Sequence, residues 1–152
     1  MDSTETAVHE LLDYRAIETL RYRYCQHVDR HEYRAWADLF APDGTFTSDL
    51  PDREVYTGPD EIYAFARDVL DNPEAPNAGY RYSTHIAVNP VIELSGDEAT
   101  GHWYFFLRYA LENGTSGFKH GHYDETYQRI DNEWMFGSVR VGFDSAGTFE
   151  QV

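Results

Sequence analysis

Hydrophobic positions along the chain change period once, and the change separates a helical first half from a stranded second half. From Asp13 to Val28, Ile17, Leu20, Tyr24 and Val28 recur at helical spacing, and a shorter helical pattern follows with Tyr33, Trp36, Leu39 and Phe40. The two predicted helices join near Arg30. Pro42-Asp-Gly-Thr predicts a turn, Thr45 to Ser48 a short strand and Asp49 to Arg53 a loop. Gly58-Pro-Asp-Glu opens a third helix, because proline suits the first helical position and acids suit the first turn. Ile62, Phe65, Ala66, Val69 and Leu70 form its buried stripe, and the segment from Asp71 to Gly79 stops it. Thereafter the period is two. Ser83 to Leu94, Ala99 to Leu111, Phe118 to Ile130 and Glu133 to Phe143 predict four long strands in a meander. Helices first and an antiparallel sheet afterwards predict an α+β domain whose curved sheet wraps the helices around a cone-shaped cavity, a cystatin-like α+β barrel. One domain over 1–152 is expected, with its core about 13–143.

Composition narrows the partners. The 152 residues suffice for a real core without staples, and aromatic residues at 16% supply much of it. Cys25 is the single cysteine, which excludes an internal disulfide and fits a reducing cytoplasm. The start resembles no signal sequence, and no apolar run approaches membrane-spanning length, so a cytoplasmic location without membrane partners is expected. A formal charge of −15 with scattered acids repels nucleic acid and anionic lipid. Such an acidic surface suits a salt-loving host, for which thermal stability should rise between low and molar salt.

Candidate chemistry centres on Asp29 and His85, because a carboxylate that orients an imidazole makes a general base. The competing reading of Asp29 is a helix-start cap with Glu32. His85 sits in Tyr80-Arg-Tyr-Ser-Thr-His-Ile-Ala-Val-Asn-Pro, where alternation puts it on one face with Ala87 and Asn89 and puts Thr84, Ile86 and Val88 on the other. With Trp134 anchoring the last strand, Phe136, Ser138 and Arg140 share its face, and an inward arginine would need an anionic partner or substrate group. Tyr24 lies on the first helix's apolar stripe, and its hydroxyl needs a partner when buried. His120-Gly-His122 with Glu125 is the rival, a partial cupin-like metal pattern with Gly114 upstream. The acid comes one residue early, the closing glycine and second cupin motif are missing, and three opening helices disagree with that fold. No metal or other cofactor is expected. Glycine-rich phosphate loops and serine-nucleophile elbows are also lacking.

Several short motifs in order and spacing resemble one family: Tyr24-Cys-Gln-His-Val-Asp29 with Trp36 and Leu39-Phe40, Thr84-His85, Ala99-Thr-Gly-His-Trp-Tyr, and Gly121-His-Tyr with Tyr127, Asp131 and Trp134. From about Asp13 to Phe143 the chain resembles the nuclear transport factor 2-like superfamily in its SnoaL-like branch, which contains scytalone dehydratase, bile acid 7α-dehydratase and hexachlorocyclohexane dehydrochlorinase. The resemblance implies that His85 is the general base and Asp29 its partner. The bile acid enzyme's tyrosine and arginine fall on Tyr24 and Arg140, and scytalone dehydratase's second histidine falls on His120, with His122 the alternative. Phe106 and Leu107 stand where the bile acid enzyme has a further acid, and Val28 replaces scytalone dehydratase's tyrosine before the aspartate.

These features together lead to the expectation of a cofactor-independent lyase, a dehydratase on a hydrophobic ring-bearing carbonyl compound. Trp103, Phe105 and Phe136 are the expected aromatic contributors to its cavity. An isomerase, a polyketide cyclase, or a non-catalytic ligand-binding or assembly protein remains the alternative on the same scaffold. The family resemblance also implies a homo-oligomer through the open sheet face, a trimer before a dimer.

Overall fold

The computed structural model describes residues 2–49, 54–72, 74 and 79–149. Helix α1 runs from Ser3 to Asp29 and so begins well before the predicted Asp13. Its start is fixed by a capping box: the Asp2 carboxylate accepts from the backbone N–H groups of Thr4 and Glu5, and the Glu5 carboxylate accepts from the Asp2 N–H. Val8, Leu11 and Leu12 on these early turns are exposed, which is why helical burial periodicity does not reach them. Beyond Arg30, His31 adopts φ 59° and turns the chain into the short helix α2, Tyr33–Ala37.

Strand β1, Phe40–Ser48, starts earlier than the predicted Thr45, so Phe40 belongs to a strand rather than to the second helix. Its register with its neighbour slips between Phe40 and Thr45, where Pro42-Asp-Gly interrupts the ladder. Most of the predicted Asp49–Arg53 loop, and Pro73 and residues 75–78 of the segment that stops the third helix, lie outside the described residues. Strand β2, Val55–Thr57, leads into α3, Gly58–Phe65, which continues as a π-helical turn over Ala66–Leu70. Gly58 sits at φ 79°, and an added Cβ would come within 3.0 Å of the Pro42 carbonyl oxygen, so this junction requires glycine.

The four long strands follow as expected: β3 Tyr80–Ser95, β4 Glu98–Leu111, β5 Ser116–Ile130 and β6 Glu133–Thr148. The sheet order is β2-β1-β6-β5-β4-β3, with β1 parallel to β6 and the other pairings antiparallel. The α+β class is as predicted. The sheet stays open between β2 and β3 rather than closing into a barrel, and α1 packs across it against β3 and β6. Tyr24, Trp36, Phe40, Phe46 and Phe136 form the aromatic centre; Tyr24 meets Trp36 edge-on at 5.4 Å, and Trp36 meets Phe46 likewise at 5.4 Å. Each such contact contributes about 0.5–1.5 kcal/mol beyond area burial.

Two of the sheet's register shifts change the facing of expected site residues. In β3 the register slips between Val88 and Val91, where Asn89 takes φ 53°; Asn89 is exposed and does not continue the His85 and Ala87 row. In β6, Tyr127 pairs with Phe136 and Thr126 with Ser138, leaving Gly137 as the extra residue. Trp134 and Phe136 face inward before this bulge, and Val139 and Val141 face inward after it. Strict alternation from Trp134 therefore fails at Gly137 and misassigns the side chains from Ser138 to Phe143, up to the next register shift.

Candidate active site

Asp29 ends α1 at the point where the helix meets β3. It does not cap α2: the residue at that position is Glu32, which makes no side-chain cap bond. Asp29 is instead surrounded by donors from the strand. Its Oδ2 accepts from the His85 backbone N–H at 2.9 Å, and its Oδ1 accepts from Ser83 Oγ at 2.8 Å and faces His85 Nδ1 at 2.6 Å. Alternation along β3 turns Ser83 and His85 to the same face, so one carboxylate engages both. Because a carboxylate accepts only, the imidazole must place its Nδ1–H toward Asp29, which leaves Nε2 as the nitrogen with a free lone pair. The side chains of His85 and Asp29 keep 13% and 19% of their surface. The pair is thus sheltered yet reachable.

His85 and Ser83 line a cavity of about 90 Å³ between the helices and the sheet. Trp36, Phe46, Phe65, Phe105 and Phe143 form much of its wall, with Val69 and Leu70 from the π-helical turn. Tyr24 lines it too, and burial pushes its phenol up to about 12 against the lowering influence of Arg21. Tyr24 therefore remains a proton donor at neutral pH. Trp103 and Phe136, expected as cavity residues, lie deeper in the core; of the three expected aromatics, Phe105 lines the space.

The remaining expected site residues are elsewhere. Arg140 falls after the Gly137 bulge, and its side chain is 61% exposed with Asp49 at 3.7 Å, so the expected cavity-facing arginine is corrected to an outward one. His120 stands opposite Phe106 on β4, and directly opposed residues share a face; Phe106 is exposed on the outer side, so the inward His120 expectation is likewise corrected. His122 is on that outer side as well, hydrogen-bonded to Asp144 at 3.1 Å and stacked on His102 at 5.7 Å. Glu125 has the opposite parity and points inward, away from both histidines. Among the described residues no group of His, Cys, Asp and Glu is arranged to hold a metal ion.

Inward positions of β5 are Lys119, Gly121, Tyr123, Glu125 and Tyr127, and Lys119 lines the cavity where His120 was expected. Neither Lys119 nor Ser83 was singled out from the sequence. The available signals were parity with Tyr123 and Tyr127 for the lysine, and an i, i+2 relation to His85 for the serine.

The SnoaL-like domain family model matches residues 9–140. The chain belongs to this family. Over 130 residues it is 23% identical to "Probable cyclase FGR4" of Gibberella zeae, a match covering 82% of this chain and 87% of that protein. Its fold is similar to that of hexachlorocyclohexane dehydrochlorinase LinA-type3 from Novosphingobium barchaimii LL02, with a TM-score of 0.83, 20% identity and 96% of each chain covered. It is also similar to a candidate scytalone dehydratase from Novosphingobium aromaticivorans, with a TM-score of 0.78, 20% identity, and coverage of 94% of this chain and 91% of that one. The SnoaL-like chain thus shares its scaffold with dehydratase-type and dehydrochlorinase-type proteins. Among its described residues no helix is long and apolar enough to cross a membrane.

Proposed function

We propose that the protein is a cofactor-independent lyase that removes water from a small, ring-bearing β-hydroxy carbonyl compound, with His85 as general base. The observation that carries this reading is the 2.6 Å contact between Asp29 and His85 Nδ1 at the wall of an aromatic cavity. His85 Nε2 takes the proton from the carbon next to the carbonyl, and the C–H electron pair moves into an enolate. The enolate then expels the β-hydroxyl, which leaves as water after receiving a proton from the imidazolium. Asp29 fixes the imidazole tautomer and stabilises the transient imidazolium, and Tyr24 donates to the carbonyl oxygen. The aromatic wall of the cavity suits a ring-bearing substrate.

A panel of cyclic β-hydroxy ketones followed by proton NMR tests this reading. Loss of water from at least one member, abolished in His85→Ala, is the expected result; elimination that survives the substitution rules His85 out as the base. The similarity to a cyclase favours one second reading, in which the same enolate attacks a carbonyl within the substrate and closes a ring. Ring closure without loss of water in the same spectra would select it. An assembly of identical copies in the cytoplasm accompanies the proposal: Ile86, Val88, Tyr104 and Phe106 present an exposed apolar patch on the outer face of β3 and β4. Light scattering that finds a monomer at micromolar concentration would remove it.

A further inference from the structure

Of the twelve Lys and Arg residues in this strongly acidic chain, only residue 119 is a lysine, and that lysine lines the His85 cavity. Its amine lies 3.3 Å from the Tyr80 hydroxyl and 5.6 Å and 5.3 Å from the rings of Tyr109 and Phe143. Among the described residues no carboxylate pairs with it, whereas Arg34, Arg67 and Arg129 all hold close acids. Among the described residues, this half-buried cation is held by rings and one hydroxyl and has no carboxylate counter-ion.

The register places this cation relative to the base. His85 pairs with Leu107, and Leu107 pairs with Lys119, so the three residues form one row across β3, β4 and β5 on the inward face. Neighbouring strands are roughly 4.8 Å apart, which puts the His85 and Lys119 backbones about 10 Å from each other with the apolar Leu107 between. Both side chains reach into the same space, one with a lone pair and the other with a positive charge. A net charge of −15 repels an incoming anion at long range, so an acidic ligand needs a local cation to enter this cavity.

We infer that Lys119, with the Tyr80 hydroxyl, is the recognition site for an acidic oxygen of the substrate, which makes the substrate class a small cyclic acid carrying a carboxylate or an ionised enol or phenol. The ring lies against Leu107 and Phe105, the acidic oxygen meets the Lys119 amine, and the carbon to be deprotonated faces His85. This inference rests on the His85 cavity being the substrate site. Lys119 sets which molecule is held and in which direction it points, while His85 performs the proton transfer.

Benzoate and its neutral isostere benzamide separate the two claims. Their dissociation constants are measured for the wild type, Lys119→Met and Lys119→Arg, and the His85 ring signals are followed by NMR in each titration. The expected result is that both probes shift the His85 signals, and that benzoate binds at least about tenfold more tightly than benzamide, as a charge-assisted hydrogen bond would give. Lys119→Met should abolish that preference without weakening benzamide, and Lys119→Arg should retain part of it. Equal affinity of the two probes with shifted His85 signals overturns the role of Lys119 and leaves the cavity reading standing. Absence of any His85 shift from either probe overturns both. A benzoate preference that persists in Lys119→Met, with the melting temperature unchanged, also overturns the inference.

Discussion

Among the described residues three carboxylate pairs tie the first helix to the sheet; besides Asp13 with Arg129 on β5 there are Asp29 with His85 and Arg21 with Glu125, and these last two differ in what surrounds them. Asp29 and His85 meet at the wall of a cavity, each retaining some exposure, and Asp29 is satisfied by three donors from one strand. Arg21 and Glu125 meet lower in the fold with no exposed side-chain surface; the guanidinium lies between the rings of Tyr24 and Tyr123, each 3.9 Å away, and Tyr127 donates to Glu125. Trp103 Nε1 donates to the Tyr127 hydroxyl at 3.0 Å and extends this second network. Neither Arg21 nor Glu125 lines the His85 cavity, and with no exposed side-chain surface their charges answer one another and tie the helix to the sheet. The upper pair leaves one nitrogen free toward a cavity. Under the proposed function, similar chemistry is structural in one place and catalytic in the other because of that one difference.

Substitutions should separate the two pairs cleanly. His85→Ala is expected to lower turnover of an identified substrate by about 10²–10⁴-fold while leaving the melting temperature nearly unchanged, read from steady-state rates and a thermal scan. Arg21→Met should instead cost about 3–5 kcal/mol of stability, because it leaves Glu125 buried and uncompensated; urea unfolding measures this, and the double variant Arg21→Met, Glu125→Leu should recover much of the loss. Asp29→Asn should reduce turnover at least about tenfold by releasing the imidazole tautomer, again from steady-state rates. Alkaline pH offers a smaller contrast. Tyr24 and Tyr127 have folded values pushed up to about 12 from 10.0, chiefly by burial, so their phenols favour the folded state below about pH 10 and oppose ionisation above it. Stability should therefore fall as pH rises from about 10 to about 12, as followed by phenolate absorbance and circular dichroism together. Arg140→Ala, outside both networks, should change stability by less than about 0.5 kcal/mol and leave the rate unaltered.

The parts of the fold legible in the sequence were those with a regular period. The four strands and the buried stripe of α1 are written in repeating apolar positions, and β3 places His85 on the helix-facing side as alternation requires. Asp29 was legible as a residue type at a helix end, and its partner became apparent through family resemblance rather than through spacing. What could not be read was irregular. Gly137 inserts one residue into β6 and moves Arg140 to the outside, and a glycine in a strand does not announce a bulge by itself. The early turns of α1 carry no burial pattern and depend on Asp2 and Glu5, a local capping signal independent of the core. His120 and Lys119 are adjacent, so one step of parity decides which enters the cavity; without the β4 register the histidine is chemically the more conspicuous candidate.

The most direct test of the central claim is the nitrogen-15 NMR signature of the His85 ring in its neutral form. The Asp29 contact predicts a protonated Nδ1 and a bare Nε2 facing the cavity, with the tautomer redistributing in Asp29→Asn. A neutral His85 carrying its proton on Nε2 would contradict the assignment of that nitrogen as the base.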